Sequence, residues 1–298
     1  MKPRLSFTMA ELPQINVNEI ASISEACLDI PYASHPSQIM DIYLPKNGPK
    51  PYPVVIYLHS GAFVGGDKRD NNVRSVLRAL DEGYALVSVE YRSGYEVTWP
   101  AQIFDVKTAI RCLKANAGTY GLDPERFAVL GVSAGGYIGT MAAVTADSPG
   151  FEDKTMGYPD ADSRVQAVVD WGGACGKLNE MDKQILTNGF GRPNHSAANS
   201  PESIMMGSAL SEIPELCSLA SPASHITANV PYFLIQHGTN DGTVPIQQSE
   251  ELAKAIEAAA GKYRVKFRVY DVPSGHNGAW YETEEMLDEV FAFLKSVL

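Results

Sequence analysis

Gly131-Val132-Ser133-Ala134-Gly135-Gly136 is the stretch on which the reading of this chain turns. It follows an apolar run, Phe127-Ala128-Val129-Leu130, and precedes a small-residue helical stretch from Tyr137 to Ala146. Strand, tight turn and helix in that order is the setting of a G-x-S-x-G nucleophile elbow. A serine hydroxyl is a weak nucleophile and must project, uncrowded, toward a base. A sharp turn does this while holding the serine in a strained backbone conformation. Glycines at 131 and 135 let strand and helix approach with no Cβ between them. A helix starting near Ala134 aims N–H groups and its positive dipole end at any oxyanion formed there. The same pattern also occurs in turns that only pack, so its meaning depends on partners elsewhere in the chain.

Two partners stand downstream in the order Ser…Asp…His. His276 lies in Val272-Pro273-Ser274-Gly275-His276-Asn277-Gly278-Ala279, directly after a strand ending near Tyr270 and before the last helix. Asp241 follows Gln236-His237-Gly238-Thr239-Asn240, again at a strand's carboxyl end, where open α/β sheets gather their reactive groups. From there a carboxylate can accept from imidazole Nδ1–H, fix the tautomer and stabilise the imidazolium. Asn-Asp-Gly is also an ordinary turn signal, and Asp170, one strand earlier, is the rival acid; the position after the penultimate strand favours Asp241. A third piece, His59-Ser60-Gly61-Ala62-Phe63, follows the apolar run from Pro53. Its small residues suit a loop whose Gly61 and Ala62 N–H groups, with that of Ala134, form an oxyanion hole. His59 is expected to shape that loop by hydrogen bonding.

Around these pieces the chain alternates strand and helix. Ile23 to Ile30 and Gln38 to Leu44 read as an antiparallel edge hairpin. Runs at 53–59, 84–91, 127–132, 165–171, 231–236 and 265–270 read as strands. Stretches at 67–81, 101–117, 249–260 and 284–298 read as helices, with Pro100 near the start and Gly118 after the end of the second. The expectation is an α/β fold with a mainly parallel sheet and helices on both faces. Residues 172–229 break the rhythm, being rich in Gly, Ser, Asn and Pro, with short helical pieces at 177–186 and 201–210. An insertion of that length reads as a cap. Residues 1–20 read as an N-terminal arm, and nothing forces a second domain within 1–298.

The formal net charge of −11 argues against nucleic acid and anionic membrane surfaces as partners. No stretch approaches the roughly 18 apolar residues of a membrane span, and the first residues show no signal-peptide pattern. A cytoplasmic location is therefore the default expectation, with secretion open if a signal has been removed. The four cysteines, Cys27, Cys112, Cys175 and Cys217, are far apart and lack CxxC or CxxH spacing, which favours free thiols over a zinc site. Neither a phosphate-cradling GxxxxGK[ST] nor a dinucleotide fingerprint occurs, so no cofactor and no metal are expected.

These residues resemble the α/β-hydrolase superfamily, and within it the small carboxylesterases related to hormone-sensitive lipase and to acetyl-xylan and feruloyl esterases. The resemblance extends to Glu90-Tyr91-Arg92, Trp99-Pro100-Ala101-Gln102-Ile103-Phe104-Asp105-Val106-Lys107, Asn116, residues 120–123, Arg126, Ser221-Pro222-Ala223-Ser224-His225-Ile226, and the strand from Pro231 to Gly238. It covers most of 22–298 and is weakest in 1–20 and 172–215. Ser60 stands where the hormone-sensitive lipase group carries glycine, so the subgroup is less sharply marked than the superfamily. The resemblance implies an α/β-hydrolase fold of about eight strands and cofactor-free hydrolysis of short-chain acyl esters, with acetylated or feruloylated carbohydrates among the substrates. It leaves open an arylformamidase, a prolyl-oligopeptidase-like exopeptidase and a non-catalytic ligand-binding module. Phe63, Trp171 and Trp280 are the expected pocket residues, with Tyr95 and Trp99 behind them; Asp105 is expected to pair structurally. A homodimer through an edge strand or the last helix stays open.

Overall fold

The structure, a computed structural model, describes residues 14–16, 24–272, 275–276 and 283–298. Eight strands form one sheet: β1 (Ser24–Pro31), β2 (Ile39–Pro45), β3 (Tyr52–Leu58), β4 (Ala85–Val89), β5 (Leu122–Val132), β6 (Ala167–Trp171), β7 (Tyr232–Gly238) and β8 (Val265–Tyr270). Their order is β1-β2-β4-β3-β5-β6-β7-β8. The β1–β2 hairpin sits at one edge and joins β4 antiparallel; from β4 to β8 every pairing is parallel. This is the expected α/β-hydrolase architecture.

Parallel strands linked through helices are covered on both faces, which is why β3 and β4 read as unbroken apolar runs. Along β3, Val54, Ile56 and Leu58 enter one core, with Ile103, Ile110, Ile138 and Leu252 from helices α1 (Ala101–Ala115), α2 (Ala134–Val144) and the later helix spanning Gln247–Ala260. Val55 and Tyr57 enter the other, with Val73, Val76 and Leu80 and with Val290, Phe291 and Leu294 of the last helix, Glu284–Val297. The period-two alternation of a strand divides them between the faces.

Two segments differ from expectation. The helix expected over 67–81 is two short turns, Val73–Val76 and Arg78–Asp81. Asp67 and Asp70 bend the chain before it by accepting backbone N–H bonds from Arg69 and Asn72, an Asx device that competes with helix. Lys68 is pinned to the sheet, its N–H donating to Glu90 and its carbonyl accepting from Ser88. Of the arm at 1–20, only residues 14–16 are described. Gln14 bridges Asp70, the Ile15 N–H donates to Arg69 O and the Ile15 side chain is buried.

Within 172–229 lie α3 (Met181–Asn188) and α4 (Pro201–Met206). This insertion is laid on the domain. Tyr137 Oη donates to Ala220 O, Trp99 N to Met205 O, and Gln248 Nε2 to Lys177 O and Gln184 Oε1. The insertion's own Met205, Leu210 and Cys217 are fully buried in the first core.

Candidate active site

Strand register sets the stage. Leu58 pairs with Gly131 on one side and Val89 on the other, and Val132 pairs with Trp171. The carboxyl ends of β3 and β5 are therefore level, and the 59–63 loop leaves beside the elbow. A Cβ on Gly135 would stand 2.2 Å from Leu58 O and 2.5 Å from His59 O, so glycine is what allows α2 to start against that loop.

Ser133 has φ 55° and ψ −116°, a conformation L-residues rarely adopt. The surroundings fix it there. Its N–H donates to Trp171 O at 2.8 Å, and its carbonyl accepts from Tyr137 N at 3.0 Å to begin α2. Ser133 Oγ lies 2.9 Å from His276 Nε2, and His276 Nδ1 lies 2.7 Å from Asp241 Oδ2. Three residues spread over more than a hundred positions thus form one hydrogen-bonded chain. With Nδ1–H donating to the carboxylate, Nε2 is left to accept the serine proton. Gly275 makes the approach possible, since a Cβ there would stand 2.1 Å from Asp241 N.

Asp241 is fully enclosed by partners. Oδ1 accepts from the N–H groups of Thr243 and Val244, and Oδ2 also lies 3.2 Å from His237 Nε2. Burial alone would raise its pKa, but the charge of His276 and the hydrogen bonds from His237 and His276 outweigh it, so the carboxyl is held below the ordinary carboxylate range. His237 is itself held by Ser249 Oγ and Val244 O. Its supporting place four residues before Asp241 was legible only as part of the family pattern. Asp170, the rival acid, is spent elsewhere: Oδ1 accepts from Gly173 N, Oδ2 faces Cys175 Sγ, and burial pushes its pKa up to about 6.

In the 59–63 loop, Gly61, Ala62 and Phe63 have φ of 134°, 49° and 65°. All three lie in a region that L-residues rarely adopt, so the loop is held there by its surroundings. The loop closes on itself through Val64 N and Gly65 N, both donating to Gly61 O. His59 braces it, as expected. Nδ1 donates to Ser60 O, Nε2 faces Glu90 at 3.2 Å, and the ring stacks on Tyr91 with centroids 4.3 Å apart. Burial opposes its charge, yet Glu90 prevails and its pKa rises to about 9.

A cavity of about 170 Å³ opens on Ser133, walled by Ser60, Gly61, Ala62, Phe63, Ala134, Ala174, Glu202, Thr243, Val244 and His276. Of the expected pocket aromatics, Phe63 is there, edge-on to Tyr137. Trp171 is not. It ends β6 on the face of the Glu284–Val297 helix, is 1% exposed, and donates Nε1–H to Gln236 Oε1. Tyr95 is exposed and Trp99 packs edge-on to Phe151; neither reaches the cavity. Trp280 lies outside the described residues. Asp105 is structural, as expected, binding Arg92 through both oxygens and Gln38. Glu202, from the insertion, was not foreseen, because nothing in 172–229 marks which residue turns inward. Among the described residues no cluster of three His, Cys, Asp or Glu could hold a metal, and no helix is long and apolar enough to cross a membrane.

Comparison with known proteins agrees with this geometry. The BD-FAE family model matches residues 40–256, which include the elbow, the 59–63 loop and Asp241. Esterase LipC of Mycobacterium tuberculosis is 31% identical over 232 residues, covering 77% of this chain and 54% of that protein. The chain spans about half the length of the first curated relatives it matches. Among solved structures, a truncated carbohydrate esterase from gut microbiota superposes with a TM-score of 0.81 at 29% identity, covering 92% of this chain and 96% of that one. A bifunctional GH43-CE protein of Bacteroides eggerthii gives 0.80 at 30% identity, covering 91% and 35%. With its sheet and matched length in agreement, the chain belongs to the BD-FAE family and has the α/β-hydrolase fold.

Proposed function

We propose that this chain is a serine carboxylic-ester hydrolase acting on short-chain acyl esters of carbohydrates through an acyl-enzyme on Ser133. The observation that carries the reading is the Ser133–His276–Asp241 hydrogen-bonded chain at the strained elbow. Ser133 Oγ attacks the ester carbonyl while His276 Nε2 takes its proton, and Asp241 balances the imidazolium. The N–H groups of Gly61, Ala62 and Ala134 hold the oxyanion. His276 then protonates the departing alcohol oxygen. Water, deprotonated by the same imidazole, cleaves the acyl-enzyme and regenerates Ser133. The route uses nothing outside the chain except ester and water.

The cavity supports a small acyl group. Its volume lies below the roughly 300–1,000 Å³ of sites for drug-sized ligands, which favours acetyl over feruloyl. The carbohydrate assignment draws on the structural neighbour named as a carbohydrate esterase. Residues 172–229 serve as a small cap that brings Ala174 and Glu202 to the cavity wall. The test is hydrolysis of a 4-nitrophenyl acyl series and of acetylated and feruloylated sugars by wild type and Ser133→Ala. Acetate esters should be the best substrates, and the variant should lose about 10⁴-fold or more in kcat with its fold intact. Retained turnover in the variant would overturn the reading.

A further inference from the structure

One wall of the cavity carries a group that the hydrolytic mechanism does not use. Glu202 is 6% exposed, lies in the first turn of α4 and lines the cavity that opens on Ser133. Its Oε1 is 2.8 Å from His195 Nδ1. Its Oε2 is buried and has no hydrogen-bond partner among the described residues. A buried carboxylate oxygen left unmatched is costly, which singles out the atom as one that a ligand completes.

The surroundings hold Glu202 firmly. Ser200 caps α4 by accepting from Ser203 N while donating to His195 O, and Pro201 opens the first turn. Asp182 accepts the N–H groups of His195 and Ser196. Burial works against the charge of His195, but Glu202 raises its pKa on balance. With Oε1 engaged by His195, Oε2 is the acceptor left for an O–H donor. Thr243 and Val244, which share this wall, are the residues whose N–H groups hold Asp241. Glu202 and His276 line the same small cavity, and in the mechanism proposed above that imidazole protonates the leaving alcohol.

We infer that Glu202 Oε2 accepts a hydrogen bond from a free hydroxyl on the alcohol half of the ester, next to the scissile oxygen, and so selects mono-acylated polyols over simple alkyl esters. The inference rests on the esterase reading above and adds to it a specificity-determining residue. A site built to pair a substrate hydroxyl rejects the analogue lacking it, because its own acceptor is then left dry and unmatched.

The experiment is a matched pair of substrates, cyclohexyl acetate and each enantiomer of trans-2-hydroxycyclohexyl acetate, with kcat/KM normalised to hydroxide-catalysed hydrolysis. Wild type should favour the better hydroxylated enantiomer by about 10-fold to 100-fold. Glu202→Ala should bring that ratio close to one, whatever happens to the absolute rates. Glu202→Gln keeps the shape, but its oxygen must stay opposite His195 Nδ1 and its NH₂ takes the place of Oε2, so the acceptor there is lost and the ratio should fall about threefold to tenfold. The wild-type ratio and the Gln variant keep the test decisive if the Ala variant does not fold. A wild-type ratio near one, or a ratio unchanged in either variant, would overturn the inference. Should 4-nitrophenyl acetate be cleaved in a Ser133-dependent way while the ratio is one, only this inference falls. Should no ester turn over through Ser133, the esterase reading falls with it.

Discussion

Replacing Asp241 with asparagine is the sharpest test of the site, because the structure dictates which way the new amide must face. Oδ1 accepts two backbone N–H groups, from Thr243 at 2.9 Å and Val244 at 2.8 Å. An amide nitrogen there would meet two donors, so the asparagine oxygen takes that place. The NH₂ group then occupies the position of Oδ2, facing His276 Nδ1 and His237 Nε2. His276 must accept at Nδ1 and therefore carries its proton on Nε2, pointing at Ser133 Oγ. The base is in place but in the wrong tautomer. The loss expected from that fault is about 10⁴-fold in kcat, or about 5.5 kcal/mol at roughly 1.4 kcal/mol per decade. KM for a small ester should change little, since Asp241 does not line the cavity. Stopped-flow acylation with 4-nitrophenyl acetate measures the step directly, and circular dichroism checks the fold. An Asp241→Asn enzyme acylating within tenfold of wild type would refute the tautomer argument and the place given to Asp241.

Other perturbations follow from named contacts. Gly61→Ala puts a Cβ 1.8 Å from Gly65 O at φ +134°, so the 59–63 loop must shift. Steady-state assay should show kcat lower by about 10²–10³-fold, the loss typical of an impaired oxyanion hole. Trp171→Phe removes the donor to buried Gln236 Oε1 and should cost about 1–3 kcal/mol in urea unfolding, with kcat/KM within threefold of wild type; a large loss of activity would return Trp171 to the pocket. Glu289 is drawn down to about 2: burial opposes this, but Lys266, Tyr270, Arg268 and Gln236 outweigh it. A depressed carboxyl stabilises the fold above its unfolded pKa of about 4.3, and that contribution is lost as pH falls toward about 2. Glu289→Gln should therefore lower stability at pH 7 and flatten the acid limb of a stability–pH curve. His59 has the opposite sign. With its pKa raised to about 9, its contribution is full below about 6.5 and is lost as pH rises through about 9. His59→Gln should remove that alkaline limb in the same unfolding series.

The parts of the molecule legible in its sequence are those where one local rule dominates. Apolar runs such as Val54-Val55-Ile56-Tyr57-Leu58 could only be strands covered on both faces. Gly131 and Gly135 flanking Ser133 marked the elbow, and position after the penultimate strand ranked Asp241 above Asp170. What stayed hidden depends on the meeting of distant side chains. The start of the helix near 73 is decided by Asp67 and Asp70 folding back on the backbone and by Lys68 being held by Glu90 and Ser88. No periodicity records those contacts. Trp171 was misplaced because nearness in sequence to a catalytic loop does not fix direction. Alternation along β6 sends Val168 and Trp171 to opposite cores.

The insertion shows why function was less legible than fold. Its residues are irregular because they pack on an existing surface and supply no strand to the sheet, so composition constrains them weakly. Yet the wall they complete gives the site its polar character. Asp241 and His59 are satisfied within the chain, Asp241 by His276, His237 and two N–H groups, and His59 by Glu90 and Ser60. A hydrolase built only from those parts would recognise an ester and nothing of its alcohol. Discrimination of the alcohol needs a further unmatched group, and Glu202 Oε2, a buried side-chain oxygen with no partner among the described residues, is the one we infer supplies it.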